Sequence, residues 1–188
     1  MLTDTEFREV QRKMMTAWHR GDLGEASAVL DKVLKEGTSD MKGECLFYQG
    51  MINEDQGSLS DARQNWLDAL QYARDETFLR FQLELNIGET WERETQSKEA
   101  LDWYRKALNT CCDGDKFVGI KALNAYLRLK AGKVEPADEP LVACVAEKSW
   151  RALELSGAPD FKDLAGTAAK LTEALASRAE KIVNESEG

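Results

Sequence analysis

The chain has 188 residues, 43% hydrophobic and 31% charged, a composition that excludes a chain disordered throughout and allows one domain with a substantial core. Its net charge of −9 argues against binding to nucleic acid or to an anionic membrane surface, since both need a basic patch. No apolar run approaches the roughly 20 residues of a membrane span, and the polar N-terminus is unlike a secretory signal, so we expect a cytoplasmic protein.

The spacing of apolar residues and prolines favours an all-α chain. Pro136, Pro140 and Pro159 all lie in the last third, which leaves the first 135 residues free to form helices. Apolar residues recur every three or four positions, and no convincing period-2 run occurs. The predicted helices span residues 3–20, 23–36, 40–56, 59–74, 76–94, 97–111, 115–131, 138–156 and 160–184.

One apolar stripe recurs in the second, fourth and sixth predicted helices. It begins at Ala26, Ala62 and Ala100, at intervals of 36 and 38 residues. A small residue lets a neighbouring helix approach, and a large residue one turn later fills the space beside it. A period of this length predicts helical hairpins that stack to bury a continuous core. The complete stripes are Ala26, Leu30, Val33 and Leu34; Ala62, Trp66, Ala69 and Leu70; and Ala100, Tyr104, Ala107 and Leu108.

Glycines mark equivalent places in these units. Gly21 and Gly57 lie five residues before the first alanine of their stripes, where the third unit has Thr95. Gly50 and Gly88 each lie seven residues before such a turn position. A glycine inside a helix costs about 1 kcal/mol relative to alanine, so its recurrence predicts a close contact between helices.

These features resemble the tetratricopeptide repeat, which has a small residue in the first helix, a glycine turn, and A-x3-aromatic-x2-A-L in the second. The resemblance is clearest at residues 50–70 and 86–108, and the repeats cover residues 5–112. It implies an all-α superhelical stack of antiparallel helical hairpins, an α-solenoid. We therefore expect a single domain over residues 1–188, with a degenerate hairpin at 115–156 and a C-terminal capping helix at 160–184. The apolar spacing of that last helix also fits a coiled-coil seam that would form a homodimer.

The resemblance also implies where a partner would bind, because the first helix of each hairpin lines a concave groove in this family. We expect a non-enzymatic adaptor or scaffold that binds a protein or peptide there. Apolar anchors would come from Phe47, Tyr48 and Met51. Acidic residues such as Glu54, Glu89 and Glu92 would select a basic partner. The predicted groove residues are Arg12, Phe47, Tyr48, Met51, Glu54, Leu85, Asn86, Glu89, Glu92 and Arg93.

Three alternatives remain open at this point. The last helix, or a tight superhelix, would cover Phe47, Tyr48 and Met51 and make them core residues. In place of an adaptor, the second alternative is a dedicated chaperone or immunity-type protein that covers one effector and neutralises it. A small enzyme using the thiols of Cys111 and Cys112 is a third alternative, from a different class.

The sequence favours no catalytic, cofactor or metal site. His19 is the only histidine and falls at the end of the first predicted helix, where a cationic side chain is ordinary. The stretch CCDGD at 111–115 has too few ligands for zinc or calcium, and no phosphate-binding loop occurs. We expect Cys45, Cys111, Cys112 and Cys144 to be reduced, since adjacent cysteines are poorly placed for a mutual disulfide.

Overall fold

The chain is all-helical wherever it is described, which confirms the predicted all-α class. The structure is a computed structural model that describes residues 2–73, 77–114, 119–130 and 133–156, and no strand occurs in these ranges. The predicted helix at 160–184, with its capping or dimer-forming role, lies outside them, as do residues 115–118. The helices are α1 (Asp4–His19), α2 (Leu23–Glu36), α3 (Ser39–Asp55), α4 (Leu59–Ala69), α5 (Thr77–Arg93), α6 (Ser97–Asp113), α7 (Ile120–Leu129) and α8 (Glu139–Ser156).

The first two helices begin at capping residues. The Glu6 amide donates to Thr3 Oγ1 at 3.3 Å, and the Thr3 amide donates to Glu6 Oε2 at 2.9 Å, which makes a capping box. At the start of α2, the Glu25 amide donates to Asp22 Oδ1 at 2.9 Å. These bonds satisfy amides that have no partner within the helix, and they therefore determine where each helix begins.

The chain divides into two compact units, Met1–Ala100 and Leu101–Gly188, with the boundary inside α6. In the first unit each helix packs against the next one along the chain, from α1 to α5. Short turns join α1 to α2 and α3 to α4, so each of these pairs is a helical hairpin. In the second unit α7 packs against α8.

The three predicted stripes form the core. Ala26, Ala62 and Ala100 are completely buried, and so are Trp66 and Tyr104, the aromatic residues four positions after the second and third alanines. The predicted order of a small residue followed by a large one is thus confirmed as a packing pattern. Helices α2, α4 and α6 therefore bury the face that carries the stripe.

Helices α3 and α4 approach each other closely at Gly50. A Cβ atom at this position would lie 2.5 Å from Trp66 Cδ1 and 2.6 Å from Trp66 Cε2, so no larger residue fits without a shift of the indole. The indole nitrogen of Trp66 donates to the Phe47 carbonyl at 3.0 Å, which holds the ring over the glycine. The close helix contact predicted from the recurring glycine is confirmed here.

The turns after α1, α3 and α5 share one left-handed backbone conformation. The φ angles are 79° at Gly21, 81° at Gly57 and 61° at Thr95. At the third turn the Thr95 amide donates to the Glu92 carbonyl at 2.9 Å, and the following amide donates to the Trp91 carbonyl at 2.9 Å. This pattern is a Schellman motif. The equivalence of the three positions is confirmed, although a threonine is strained in a conformation that suits glycine.

Helix α4 ends at Ala69, whereas the spacing predicted a helix to residue 74. The Gln71 amide donates to the Asp68 carbonyl at 3.2 Å, and the Tyr72 amide donates to the Ala69 carbonyl at 2.9 Å. These three-residue bonds tighten the chain into a turn and end the helix. Tyr72 then packs over Gly43 of α3, where a Cβ atom would lie 2.8 Å from the Tyr72 Cβ.

The second unit contains a polar cluster that joins α6, α7 and the residue before α8. Arg105 donates from Nε to Asp138 Oδ1 at 3.1 Å and from Nη2 to Asp138 Oδ2 at 2.8 Å, and the Tyr126 hydroxyl donates to the same carboxylate. Burial acts to raise the pKa of Asp138, but the hydrogen bonds from Arg105 and Tyr126 outweigh it and lower this pKa. Asp138 therefore remains ionised at neutral pH.

The prediction of four reduced cysteines is wrong. Cys112 of α6 and Cys144 of α8 form a disulfide, with their Cα atoms 6.1 Å apart. The two residues are separated by 32 positions, and only the packing of α8 beside α6 brings them together. Cys45 and Cys111 are buried and are not part of this disulfide. Cys111 and Cys112 are adjacent and do not pair with each other, but adjacency does not exclude a distant partner for either residue.

Candidate functional site

The predicted groove residues lie on α1, α3 and α5, the first helices of the three hairpins. We call this surface the first-helix face, and all of it belongs to the first unit. Arg12 lies on α1, the anchors Phe47, Tyr48 and Met51 lie on α3 together with Glu54, and the remaining predicted residues lie on α5.

Side-chain hydrogen bonds connect α1 to α3 along this face. Gln11 Nε2 donates to Glu44 Oε1 at 2.8 Å. Further along the same pair of helices, Trp18 Nε1 donates to Asp55 Oδ2 at 2.6 Å. Two bridges at separate points hold the helices in one register, so they determine how the α3 surface is presented.

An ion pair continues the row from α3 to α5. Arg93 Nη1 lies 2.6 Å from Glu54 Oε1, with the arginine side chain exposed and the glutamate side chain half-buried. Both residues were predicted as separate groove residues, and the structure pairs them with each other. The three first helices therefore lie side by side, linked by polar contacts at their surface.

The three predicted anchors are half-buried, so each keeps part of its side chain at the surface. The rings of Phe47 and Tyr48 meet edge to face, with centroids 5.6 Å apart and planes at 64°. Tyr48 also packs against the core of the first three helices, and burial raises the pKa of its hydroxyl, with a further contribution from Glu44. Met15 of α1, 36% exposed, adds apolar surface on a neighbouring helix.

Leu85 was expected on this face and is buried instead, with 2% of its surface exposed. Phe81, Leu83 and Ile87 of the same helix are buried as well. These alternate positions lie on more than one side of a helix, so α5 buries more than a single stripe. The positions implied by the family resemblance assume one buried face, and they therefore misplace Leu85.

The remaining predicted residues reach the surface to different degrees. Asn86, Glu89 and Glu92 of α5 are half-buried. Arg12 is exposed and pairs with Glu9 on its own helix, Nη2 to Oε1 at 2.7 Å. This hydrogen bond from Arg12 lowers the pKa of Glu9. The ion pair of Glu54 and Arg93 thus joins two helices of this face, whereas the ion pair of Arg12 lies within α1.

Two surface aromatic residues were not found by sequence reasoning. Tyr72, in the turn that follows α4, is 37% exposed, and Phe78, at the start of α5, is 61% exposed. Both lie outside the three repeated stripes, which is the signal that would have marked them as surface residues.

The described residues contain no group of three histidine, cysteine, aspartate or glutamate side chains that could hold a metal ion. His19 is the last residue of α1, as predicted. None of the helices in the described ranges is both long and apolar enough to cross a membrane.

The fold and this face define a helical-hairpin repeat protein. No protein-family model matches the chain, and no curated protein matches its sequence. Among the solved structures similar to this chain are three that are each 17% identical to it. One is MamA from residue 41 to its end from Desulfovibrio magneticus RS-1, where the match covers 96% of this chain and 98% of that chain with a TM-score of 0.48. The MamA RS-1 ArsTM double mutant matches with the same coverage and a TM-score of 0.49, and a MamA crystal structure covers 90% and 95% with a TM-score of 0.45. The assignment of the fold depends on the packed helix pairs of this chain itself.

Proposed function

We propose that this chain is a non-enzymatic protein-interaction module that binds a protein or peptide on its first-helix face. The observation that supports this most is the half-buried group of Phe47, Tyr48 and Met51 on the central helix of that face. Aromatic and methionine side chains are enriched in protein interfaces, and methionine adapts its shape to a partner. The polar bridges on both sides of α3 keep the surface ordered before a partner arrives, which reduces the entropy lost on binding.

The partner's main contribution would be an apolar side chain rather than a basic one. Glu54 already pairs with Arg93, and Glu44 and Asp55 accept hydrogen bonds from α1. A basic partner would have to displace these contacts to use the same carboxylates. The net charge of −9 still favours the approach of a basic partner from a distance, so charge would act on the association rate.

An adaptor and a neutralising chaperone or immunity-type protein would use the same face and differ in affinity. An adaptor exchanges partners, so a dissociation constant near the micromolar range, about −8 kcal/mol, would suffice. A protein that neutralises one effector needs a far smaller constant, and its gene would lie beside that of its target.

Site-specific photo-crosslinking in the native host would identify the partner. A photoreactive amino acid replaces Met51 in one variant and Asp31 in a control variant, because Asp31 is exposed on α2, a second helix. We expect one protein to be crosslinked from position 51 and not from position 31. Equal capture from both positions would indicate nonspecific adhesion.

Titration with that purified partner then tests the face. We expect Tyr48→Ala with Met51→Ala to weaken binding roughly 30-fold, about 2 kcal/mol, because two central anchors are removed. The matched control is Asp31→Ala with Lys32→Ala on α2, whose affinity should equal that of the wild type. Helical content by circular dichroism must be retained in both, and unchanged affinity of the first variant would exclude this face.

A further inference from the structure

We propose that the Cys112–Cys144 disulfide is a reversible clasp, which a dithiol reductant opens, so that α8 separates locally from the C-terminal end of α6 more often than it does in the oxidised protein. The device lies wholly within the second unit and does not depend on the first-helix face. Cys112 lies in the last turn of α6, and Cys144 lies in the second turn of α8. The bond therefore connects the end of one helix to the beginning of another.

The four cysteines differ in their access to solvent. Cys112 and Cys144 are half-buried, so a small reductant can reach the bond between them. Cys45 and Cys111 are buried, and burial raises the pKa of Cys45 to about 12 and that of Cys111 in the same direction. Thiols that stay protonated and enclosed do not enter exchange reactions. Exchange chemistry is thus confined to the clasp.

A lysine on α8 occupies the same end of α6. Lys148 Nζ donates to the Gly114 carbonyl at 2.7 Å, to the Cys111 carbonyl at 3.3 Å, and also to the Cys112 carbonyl. A cation at a helix C-terminus satisfies carbonyls that have no partner in the helix. These contacts join α8 to the end of α6 independently of the disulfide, so the two helices stay in register when the bond opens.

The reaction is a thiol–disulfide exchange. One thiolate of the dithiol attacks Cys144 Sγ, the bond between the two protein sulfurs breaks, and Cys112 leaves as a thiolate. The second thiolate of the reductant attacks its own sulfur in the mixed disulfide and releases Cys144. The dithiol is oxidised to a disulfide, the protein disulfide gains two electrons, and both cysteines take up a proton.

The reduced Cys112 has an acceptor on α8, which keeps its thiol close to that helix. Cys112 Sγ lies 3.8 Å from the Leu141 carbonyl, a distance at which a thiol can donate a weak hydrogen bond. After reduction α8 retains the Lys148 contacts and the Asp138 cluster before its first turn. The helix loses its covalent link, so it should open locally more often while the rest of the unit keeps its arrangement.

The test uses the full chain and needs no substitution in its first arm. Protein prepared without reductant is mapped by mass spectrometry, then treated with dithiothreitol under native conditions and alkylated with iodoacetamide. We expect a Cys112–Cys144 peptide pair before reduction, and alkylation of these two residues alone after it. Absence of the pair in the oxidised protein, or reduction that requires a denaturant, would overturn the proposal.

Hydrogen exchange supplies the second arm. On reduction, amides of residues 139–156 should exchange about tenfold faster, while those of α1 to α3 stay unchanged. The Cys112→Ser, Cys144→Ser double variant should match the reduced wild type with or without dithiothreitol, and Cys45→Ser should respond as the wild type does. Exchange in α8 that is the same in both redox states would show that the bond is no clasp.

Discussion

Different kinds of contact stabilise the interior of each of the two units of this molecule. In the first unit a repeated stripe of alanine and a larger residue is buried, and a glycine lets α3 approach the indole on α4. In the second unit one arginine–aspartate–tyrosine cluster and one disulfide join particular positions on α6, α7 and α8. The difference teaches that a repeated contact leaves a pattern in the sequence, whereas a contact made once leaves none.

The largest effect on stability is expected from removing the shared carboxylate of the polar cluster in the second unit. Asp138→Ala leaves Arg105 and the Tyr126 hydroxyl without their shared acceptor, and we expect the free energy of unfolding to fall by about 3 kcal/mol. Urea unfolding followed by circular dichroism measures this. Asp102→Ala is the matched control, because Asp102 contacts the same arginine at an exposed position and should change the value by less than about 0.5 kcal/mol.

The pH dependence sharpens this prediction. The folded pKa of Asp138 lies below its usual 3.8, so the carboxylate contributes stability above that value and loses it as the pH falls through the folded pKa. The difference in unfolding free energy between the wild type and Asp138→Asn should therefore be largest near neutral pH and shrink as the pH falls below 3.8 and through the folded pKa. A difference that grows as the pH falls would contradict this assignment of the charge.

A smaller effect is expected at the close contact in the first unit. Gly50→Ala places a methyl group against the Trp66 indole and should lower the free energy of unfolding by about 2 kcal/mol. Gly24→Ala on α2 is the control, because its nearest neighbouring atom, Asp22 Oδ1, is 3.8 Å away. That substitution should raise stability by up to about 1 kcal/mol through helix propensity. The same sign for both variants would refute the tight α3–α4 contact.

The smallest effect concerns the turn that lacks a glycine. Thr95→Gly should raise the free energy of unfolding by about 1 kcal/mol, because glycine adopts the left-handed conformation without strain. Gly57→Thr, at the equivalent turn, should lower it by a similar amount. Thermal unfolding of both variants checks this, and a destabilised Thr95→Gly would mean that the Thr95 hydroxyl bond to the Glu94 carbonyl is worth more than the strain.

The sequence is informative where contacts repeat. The stripes beginning at Ala26, Ala62 and Ala100 indicate the hairpins, and the same spacing places Thr95 at the third turn, where its φ angle is left-handed. Leu85 was misplaced because the family pattern assumes one buried face on α5.

Contacts made only once could not be predicted. The Cys112–Cys144 bond depends on how α8 packs beside α6, and the pairing of Glu54 with Arg93 depends on how α5 lies beside α3. In both cases the sequence shows residues that are able to pair, but the packing of the helices determines which residue pairs with which. The single-domain arrangement over residues 1–188 stays a prediction.

Hydrogen exchange of the complex tests most directly whether the first-helix face binds another polypeptide. The purified partner identified by photo-crosslinking is added at saturation. We then expect slower amide exchange in α3 over residues 44–55, around Tyr48 and Met51, and unchanged exchange in α2 and α8. Protection confined to α2, or to the second unit, would contradict the account.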